Sequence, residues 1–460
     1  MNKQVVIIEP GAVTANVFSG QGVYPLMGPL YLGAVLRQAG HSVRVINENL
    51  LGRPVSLQEL DADVACISAL TPTADRAYEI ARQHKAIRPK GLTLLGGVHP
   101  SFLPEEAARF ADHVVVGEGE DVIADLIAHG ASETIVQGKR IRDLDRLPIP
   151  DLTMLHGAAR VPRAPIMTSR GCPHQCNFCS VTAMFGHAYR MHSVERVLEE
   201  LRRVRHDYVF FYDDNFVASP TRTRNLLQAM LRANIRKRWT AQVRVDVARD
   251  QDLVALMARS GCTRVYVGLE SIDDNALKAM NKRQTLQDIV HAVETFHRFG
   301  IAVHGMFILG SDEDPPGLAQ ATVRFCRRLR MDSVQFLILT PFPGTPVFER
   351  LASEGRLLHR RWSYYDGMHA VFEPATITAE ELQNQMVAAF EDFYSLLGAV
   401  NDGLNIIWEG AHALLAHRAR LLSGYNALTK LGARRVIRRW LDANQDYLRW
   451  LAGLGRARLI

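Results

Sequence analysis

Cys172, Cys176 and Cys179 fall within eight residues of the stretch TSRGCPHQCNFCSVTAMFG (168–186). Spacing of the form C-x-x-x-C-x-x-C lets one tight loop aim three thiolates at a common point. Zinc is one occupant to consider, since a structural zinc site takes four protein ligands and His174 or His187 could supply the fourth. Such sites come as paired C-x-x-C or C/H elements, however, and no second element follows here. Iron and sulfide suit the spacing better, because thiolates are the standard ligands of a cubane cluster. With three thiolates, one iron of a four-iron cluster stays open. Cys66, Cys262 and Cys326 are scattered through apolar runs and read as buried core.

Further polar residues recur where apolar runs end. FYDDNF (211–216) offers Asp213 and Asp214, which could bind an ammonium group or cap the next helix. Gln242 and Arg244 alternate onto one face of the following run. VGLES supplies Glu270 and Ser271, and ILGSDED supplies Gly310. Earlier in the chain come TPT with Thr71 and Thr73, GGVHPS with Gly96, Gly97 and His99, and GEGE with Gly117, Glu118 and Gly119. Glycine lets backbone approach a bulky ligand, and threonine or serine hydroxyls can bond its rim. A dinucleotide would call for G-x-G-x-x-G after the first strand, whereas the turn reads EPGAVTANVFSGQG.

The elements that must hold these residues are legible from periodicity. VVIIE, SVRVINE, DVACISAL, LTLLGGV and HVVVGEG are short apolar runs alternating with helical patterns such as GPLYLGAVLRQAG. Strict alternation predicts an α/β fold with a doubly wound, Rossmann-like parallel sheet over 1–138, whose ligands sit beyond the carboxyl ends of its strands. IRDLDRLPIPDLTMLHG, with Pro148 and Pro150, predicts an extended linker over 139–162. From Arg163 six strand and helix units follow in APIMTS, DYVFFYDD, TAQVRVD, RVYVGLES, IAVHGMFILG and DSVQFLILTPF. They predict a partial, TIM-like (β/α)6 barrel over 163–375, with its chemistry at the same strand ends. Beyond it, TAEELQNQMVAAFEDFYSLL opens with Thr378 and Glu381 in capping-box spacing, predicting a small helical domain over 376–460.

Composition narrows the class. The 460 residues are 47% hydrophobic and 22% charged, which is globular, and no run of eighteen apolar residues suggests a membrane span. The opening MNKQVVIIEPG reads as strand and turn rather than a secretory signal, and six sparse cysteines suit a reducing cytoplasm. The net charge of +6 lies wholly in the last sixty residues, which hold ten Lys/Arg against four Asp/Glu. That basic tail could touch an anionic membrane surface, or could be a solvated helix face. No helix-turn-helix or zinc-finger pattern supports nucleic-acid binding.

The cysteine stretch, with Phe178 before its last cysteine, resembles the signature of the radical S-adenosylmethionine (SAM) superfamily. The resemblance implies a [4Fe-4S] cluster on Cys172, Cys176 and Cys179 whose open iron is chelated by SAM, giving a 5′-deoxyadenosyl radical on reduction. It implies SAM contacts at Phe178, Asp213, Asp214, Gln242, Arg244, Glu270, Ser271 and Gly310. A doubly wound domain ahead of such a barrel resembles the cobalamin-binding subclass, over about residues 1–375. That implies cobalamin contacts at Thr71, Thr73, Gly96, Gly97, His99, Gly117, Glu118 and Gly119. Many members present D-x-H-x-x-G after the second strand, but here NENLLG puts Asn49 where the axial histidine would be. An amide is a poor cobalt ligand, so a base-off corrinoid without a histidine ligand is expected.

WSYYDGMHAVFEP and FEDFYSLL resemble an extension in a branch that includes lipid methylases and relatives of the anaerobic magnesium-protoporphyrin cyclase. There Trp362, Tyr364, Tyr365 and His369 could line a substrate pocket or pack as core. The function implied is a cobalamin-dependent methyltransferase acting on an unactivated carbon of a small-molecule or lipid-like substrate, with a reducing partner such as flavodoxin or ferredoxin. A cobalamin-dependent oxidative cyclase or rearrangement enzyme is the enzymatic rival. An iron–sulfur or corrinoid sensor is the non-enzymatic one.

Overall fold

A computed structural model describes residues 2–12, 24–395 and 432–457. The turn at 13–23 and most of the tail at 396–431 and 458–460 lie outside the described residues.

The first sheet has six parallel strands: β1 (Gln4–Glu9), β2 (Ser42–Asn47), β3 (Val64–Ser68), β4 (Leu92–Gly96), β5 (His113–Val116) and β6 (Ile135–Gln137), in the order β2-β1-β3-β4-β5-β6. Alternation splits β1 between two cores. Val5 and Ile7 face one containing the helix Met27–Gln38, while Val6 and Ile8 face another containing the helix Ala74–Ile87. A strand buried on both faces must be apolar at every position, which is why these runs are continuous. β6 is a three-residue edge strand, too short and too exposed for its sequence to announce it.

The segment 139–162 is less extended than its prolines suggest. It folds into three single-turn 3₁₀ pieces, and Leu144, Leu147, Met154, Leu155 and Val161 are buried in the first sheet's core. His156 N donates to Val45 O at 2.8 Å, fixing the segment along the β2 edge.

The second sheet holds β7 (Ala164–Ile166), β10 (Tyr208–Phe211), β11 (Arg238–Val243), β12 (Cys262–Glu270), β13 (Ala302–Leu309) and β14 (Ser333–Ile338), all parallel and in chain order. Six strands form an open barrel wall. A two-stranded antiparallel ribbon, β8 (Ser169–Arg170) with β9 (Arg190–Met191), brackets the cysteine loop. The helix Ala379–Phe393 starts at the expected Thr378 and Glu381 capping box. Its Leu382, Met386, Phe390 and Phe393 join the barrel core instead of building a separate one, and Trp440 and Tyr447 of the last helices join it too.

The helix Val194–Arg203 packs Val197 and Leu201 against the barrel. Glu200 shares that apolar face, 3% exposed, with Oε2 unpartnered, and burial pushes its carboxyl up to about 8. The folded chain therefore keeps a proton there that the unfolded chain releases above an ordinary Glu pKa. Stability falls as pH rises between about 4.5 and 8 and levels off beyond. Glu200→Gln removes that loss, so in urea denaturation the variant is level with the parent near pH 5 and more stable by a few kcal/mol at pH 8, at about 1.4 kcal/mol per pKa unit.

Candidate functional site

Both sheets turn their carboxyl edges toward one cleft with about 1220 Å³ of empty space, its open mouth included. Ser68 and Leu70 reach it from the exit of β3, Gly97 and Val98 from β4, Gly117 to Glu120 from β5, Met167 and Ser169 from β7, and Tyr212 and Asp214 from β10. Below it runs a narrower apolar slot of about 430 Å³, lined by Ile7, Cys66, Leu94, Gly96 and Val115 among others.

The helix Ser180–Phe185, which lines the barrel side of the cleft with Ser180, Val181, Met184 and Phe185, follows directly on the cysteine loop. Gly171 opens that loop with φ +85°, and a Cβ there would stand 2.7 Å from Ala188 O, so only glycine makes the turn from β8 into Cys172. Asn177 Nδ2 donates to Ala279 O at 2.7 Å and Asn281 Nδ2 to Gln175 O at 2.7 Å, stapling the loop to the segment after β12. Phe178 packs on the barrel core, and Cys179 N closes the turn by donating to Cys176 O at 3.2 Å. Burial pushes the Cys179 thiol up to about 12, with Cys176, Asp214 and Cys172 adding to the rise; burial likewise raises Cys172. Burial therefore makes the Cys172 and Cys179 thiols resist ionising in the bare loop. A polycationic iron core removes that resistance, because a coordinating thiol is deprotonated outright. By residue type and spacing the loop suits a cluster held by three thiolates, although among the described residues no three candidate ligand side chains are gathered as a metal ion needs them. His174 lies instead toward Arg244, Lys282 and Arg283, and burial and those cations depress its pKa. The remaining cysteines, Cys66, Cys262 and Cys326, are buried as expected.

The two adjacent aspartates divide their work. Asp213 is fully buried and accepts from Thr168 N and Thr168 Oγ1, both at 3.1 Å, and from Ser169 Oγ, so it locks the approach to the cysteine loop. Asp214 faces the cleft beside Cys172 and Cys179; its side chain is open to the cleft, and the surrounding walls raise its carboxyl above the usual carboxylate range by desolvation.

At the end of β12, Glu270 takes a left-handed backbone, φ +62°, and is buried against Lys282, whose Nζ donates to Oε1 at 2.5 Å. A Cβ at Gly268 would lie 2.4 Å from that Oε1 and 2.8 Å from Nζ, so the missing side chain makes room for the pair. Arg244 Nη2 donates to Lys282 O at 2.6 Å, and its buried Nε makes no hydrogen bond, with Asp246 Oδ1 4.0 Å away. Ser271 Oγ accepts from Asp273 N, a turn contact, and the Gln242 side chain is half-buried. Gly310, φ +101°, has the Leu382 side chain 2.7 Å from where its Cβ would be, and Asp314 Oδ2 accepts from its N.

On the first domain's side, Gly97, Gly117, Glu118 and Gly119 line the cleft and Gly96 lines the slot. At Gly117 a Cβ would meet only Gly138 O, at 3.8 Å, so bare backbone floors the cleft and leaves room for a broad macrocycle. Thr71 and Thr73 lie in a buried 3₁₀ turn, where Thr73 Oγ1 caps Leu70 N. His99 is buried outside the cleft lining with Nε2 bonded to Tyr78 Oη at 3.1 Å. Asn49 is exposed, and its Oδ1 accepts from Ala12 N. Among the described residues no histidine lines the cleft.

The aromatic set of the C-terminal extension is core, not pocket. Trp362 Nε1 donates to Glu106 Oε1, and His369, fully buried, bonds Asp366 and Asn444. Tyr364 stacks on Tyr447, and Tyr365 is fully buried. Periodicity did not mark Leu26, Met27, Leu32, Met184 and Tyr212 as cleft residues, because an apolar side chain facing a ligand and one facing core read alike. Lys282 carried a fainter signal, a lysine set among the residues between two helices.

Family models match the Radical SAM superfamily over residues 166–325 and the B12 binding domain over 13–127. The chain is 31% identical over 404 residues to an uncharacterized methyltransferase of Pyrococcus horikoshii, covering 80% of this chain and 88% of that one. It is 30% identical to the bacteriochlorophyllide d C-12(1)-methyltransferase of Chlorobaculum tepidum, covering 85% and 87%. The solved radical SAM methyltransferase TsrM of Kitasatospora setae, with cobalamin and a [4Fe-4S] cluster bound, superposes with a TM-score of 0.65 at 16% identity, over 96% of this chain and 100% of that one.

Proposed function

The chain belongs to the radical SAM superfamily, in the branch that carries a B12 binding domain, and from that premise we propose that it methylates an unactivated carbon of an apolar small-molecule or lipid-like substrate. The observation that carries this reading is the shared cleft, where the Asp214 carboxylate and the helix that directly follows the cysteine loop, with Ser180, Val181, Met184 and Phe185, face a glycine floor on the other wall. Bound there, the cluster supplies the electron that splits the carbon–sulfur bond of SAM and cobalamin supplies the methyl group.

The chain's own residues bind, orient and shield. Cys172, Cys176 and Cys179 hold the cluster. Asp214, not Asp213, receives the SAM ammonium, and Arg244, whose Nε makes no hydrogen bond within the chain, suits its carboxylate. Gly117 and Gly119 would let a corrinoid lie against bare backbone. Leu26, Met27, Leu32, Met167 and Tyr212 exclude water from the reacting carbon. In this reading 1–138 carries the corrinoid, 139–162 links, 163–375 carries the cluster, and 376–460 braces the barrel. A flavodoxin or ferredoxin as reductant and a cytoplasmic site of action complete it.

The test is anaerobic reconstitution with iron, sulfide and hydroxocobalamin, followed by SAM, reductant and candidate substrates of the relatives' classes. Expected are stoichiometric cobalt, 5′-deoxyadenosine and S-adenosylhomocysteine together, and a product heavier by one methylene. Loss of hydrogen from the product would instead indicate ring formation, and a chain that takes up no cobalt would end the methyl-donor reading.

A further inference from the structure

Four charged side chains join the two halves at the cleft, where Glu118, Glu120 and Arg170 are part of its lining, and none is more than 8% exposed. Glu118 and Glu120 belong to the exit loop of β5 in the first domain. Arg170 and Arg190 belong to β8 and β9, the ribbon that leads into and out of the cysteine loop. Arg170 Nη2 donates to Glu120 Oε1 at 2.6 Å, and its Nη1 stands 3.7 Å from Glu118 Oε1. Arg190 grips Glu118 with both Nη atoms, Nη1 reaching Oε2 at 2.8 Å and Nη2 reaching Oε1. Glu118 Oε2 also accepts from Ile141 N at 2.7 Å, tying in the linker. The Arg170 guanidinium lies 5.1 Å over the Tyr31 ring of the first domain.

Two carboxylates and two guanidiniums make the set neutral. The Arg190 to Glu118 contact is a two-pronged fork, which fixes direction as well as distance. Glu118 thus has no free oxygen to offer a corrinoid, although it was expected to contact one. It sits between Gly117 and Gly119, which floor the cleft, and Arg170 sits one residue before Gly171 at the start of the cysteine loop.

We propose that Glu118, Glu120, Arg170 and Arg190 are positioning residues that set the separation of the two cofactor sites and make the filling of either one felt at the other. The inference rests on the function proposed above, and it adds to that reading a mechanical link between corrinoid floor and cluster loop. A neutral, forked set transmits displacement because neither half can slide without leaving a buried charge unpaired. Coupling of this kind is reciprocal by thermodynamic necessity.

The test is hydrogen exchange read by mass spectrometry on the full chain, with two loading arms. Hydroxocobalamin added to the protein is expected to slow exchange in 167–192 as well as in its own loops, by about tenfold for a coupling of ordinary size. Building the cluster with iron and sulfide is expected to slow exchange in 117–121 to the same degree. In Arg190→Lys, which keeps the charge but loses the fork, and in Glu120→Gln, each cofactor still binds while the distant protection disappears. The iron content and the corrinoid absorbance show that binding is retained. If the parent shows protection confined to the domain that was loaded, or both variants transmit it undiminished, the link is refuted. Failure of cobalamin to bind would count against the proposed function alone, because the cluster arm still reads the bridge.

Discussion

Cys176→Ala is expected to leave the cysteine loop without stable iron and to reduce SAM cleavage to background. Even outer-sphere changes at metal sites cost about 10–100-fold in affinity or activity, and removal of a direct ligand goes beyond that range. The hydrogen bonds from Asn177 and Asn281 hold the loop's path, and His174 lies near the cations Arg244 and Lys282. The same substitution at Cys262, whose Sγ donates weakly to Arg264 O within the core, should leave iron content unchanged. Iron and sulfide per chain, the visible absorption of the cluster and the yield of 5′-deoxyadenosine check all three statements. A Cys176→Ala protein that retained a full cluster and cleaved SAM would overturn the ligand assignment.

The largest expected loss of stability is at the end of β12. Lys282→Met leaves Glu270 buried without its partner, in a backbone conformation that already costs energy for a residue with a side chain. Breaking a buried ion pair from one side costs about 3–5 kcal/mol, while replacing both members by groups of similar shape is often neutral. The single variant should therefore show a much lower urea midpoint, and Glu270→Gln combined with Lys282→Met should recover most of it. Lys282 adjoins Asn281, which holds the Gln175 carbonyl, so the single variant should also lose cluster during gel filtration while the double variant keeps more. A single variant as stable as the parent would mean that the pair is solvated in the working protein.

How far the sequence foretold this arrangement depended on what each residue had to satisfy. All six barrel strands and five of the six strands of the first sheet lie where the apolar runs put them, because a parallel strand covered on both faces is mostly apolar along its length. The cysteine triplet was readable because ligand chemistry fixes residue type and spacing together. The aspartate pair was not resolved, since Asp213 and Asp214 differ only in which side of the strand exit they leave, and that follows from contacts with Thr168 and Ser169 far away in the chain. Glu118 was legible as a residue beside the cleft but not as a bridge. Its partner Arg190 lies 72 positions on, in a ribbon too short to show any periodicity. Trp362 and His369 look the same in sequence whether they face a ligand or a neighbouring helix, and only packing decides.

Because both sheets spend their carboxyl ends on a single cleft, the opposite ends of the same strands are left over. The turns at Gly40, Gly130 and Gly300 enter β2, β6 and β13 from that rear side, and nothing lies within 4 Å of where a side chain would grow from any of them. The glycines themselves hold positive φ and are costly to replace, but the loops beside them are where the chain can lengthen or carry a tag far from the cleft.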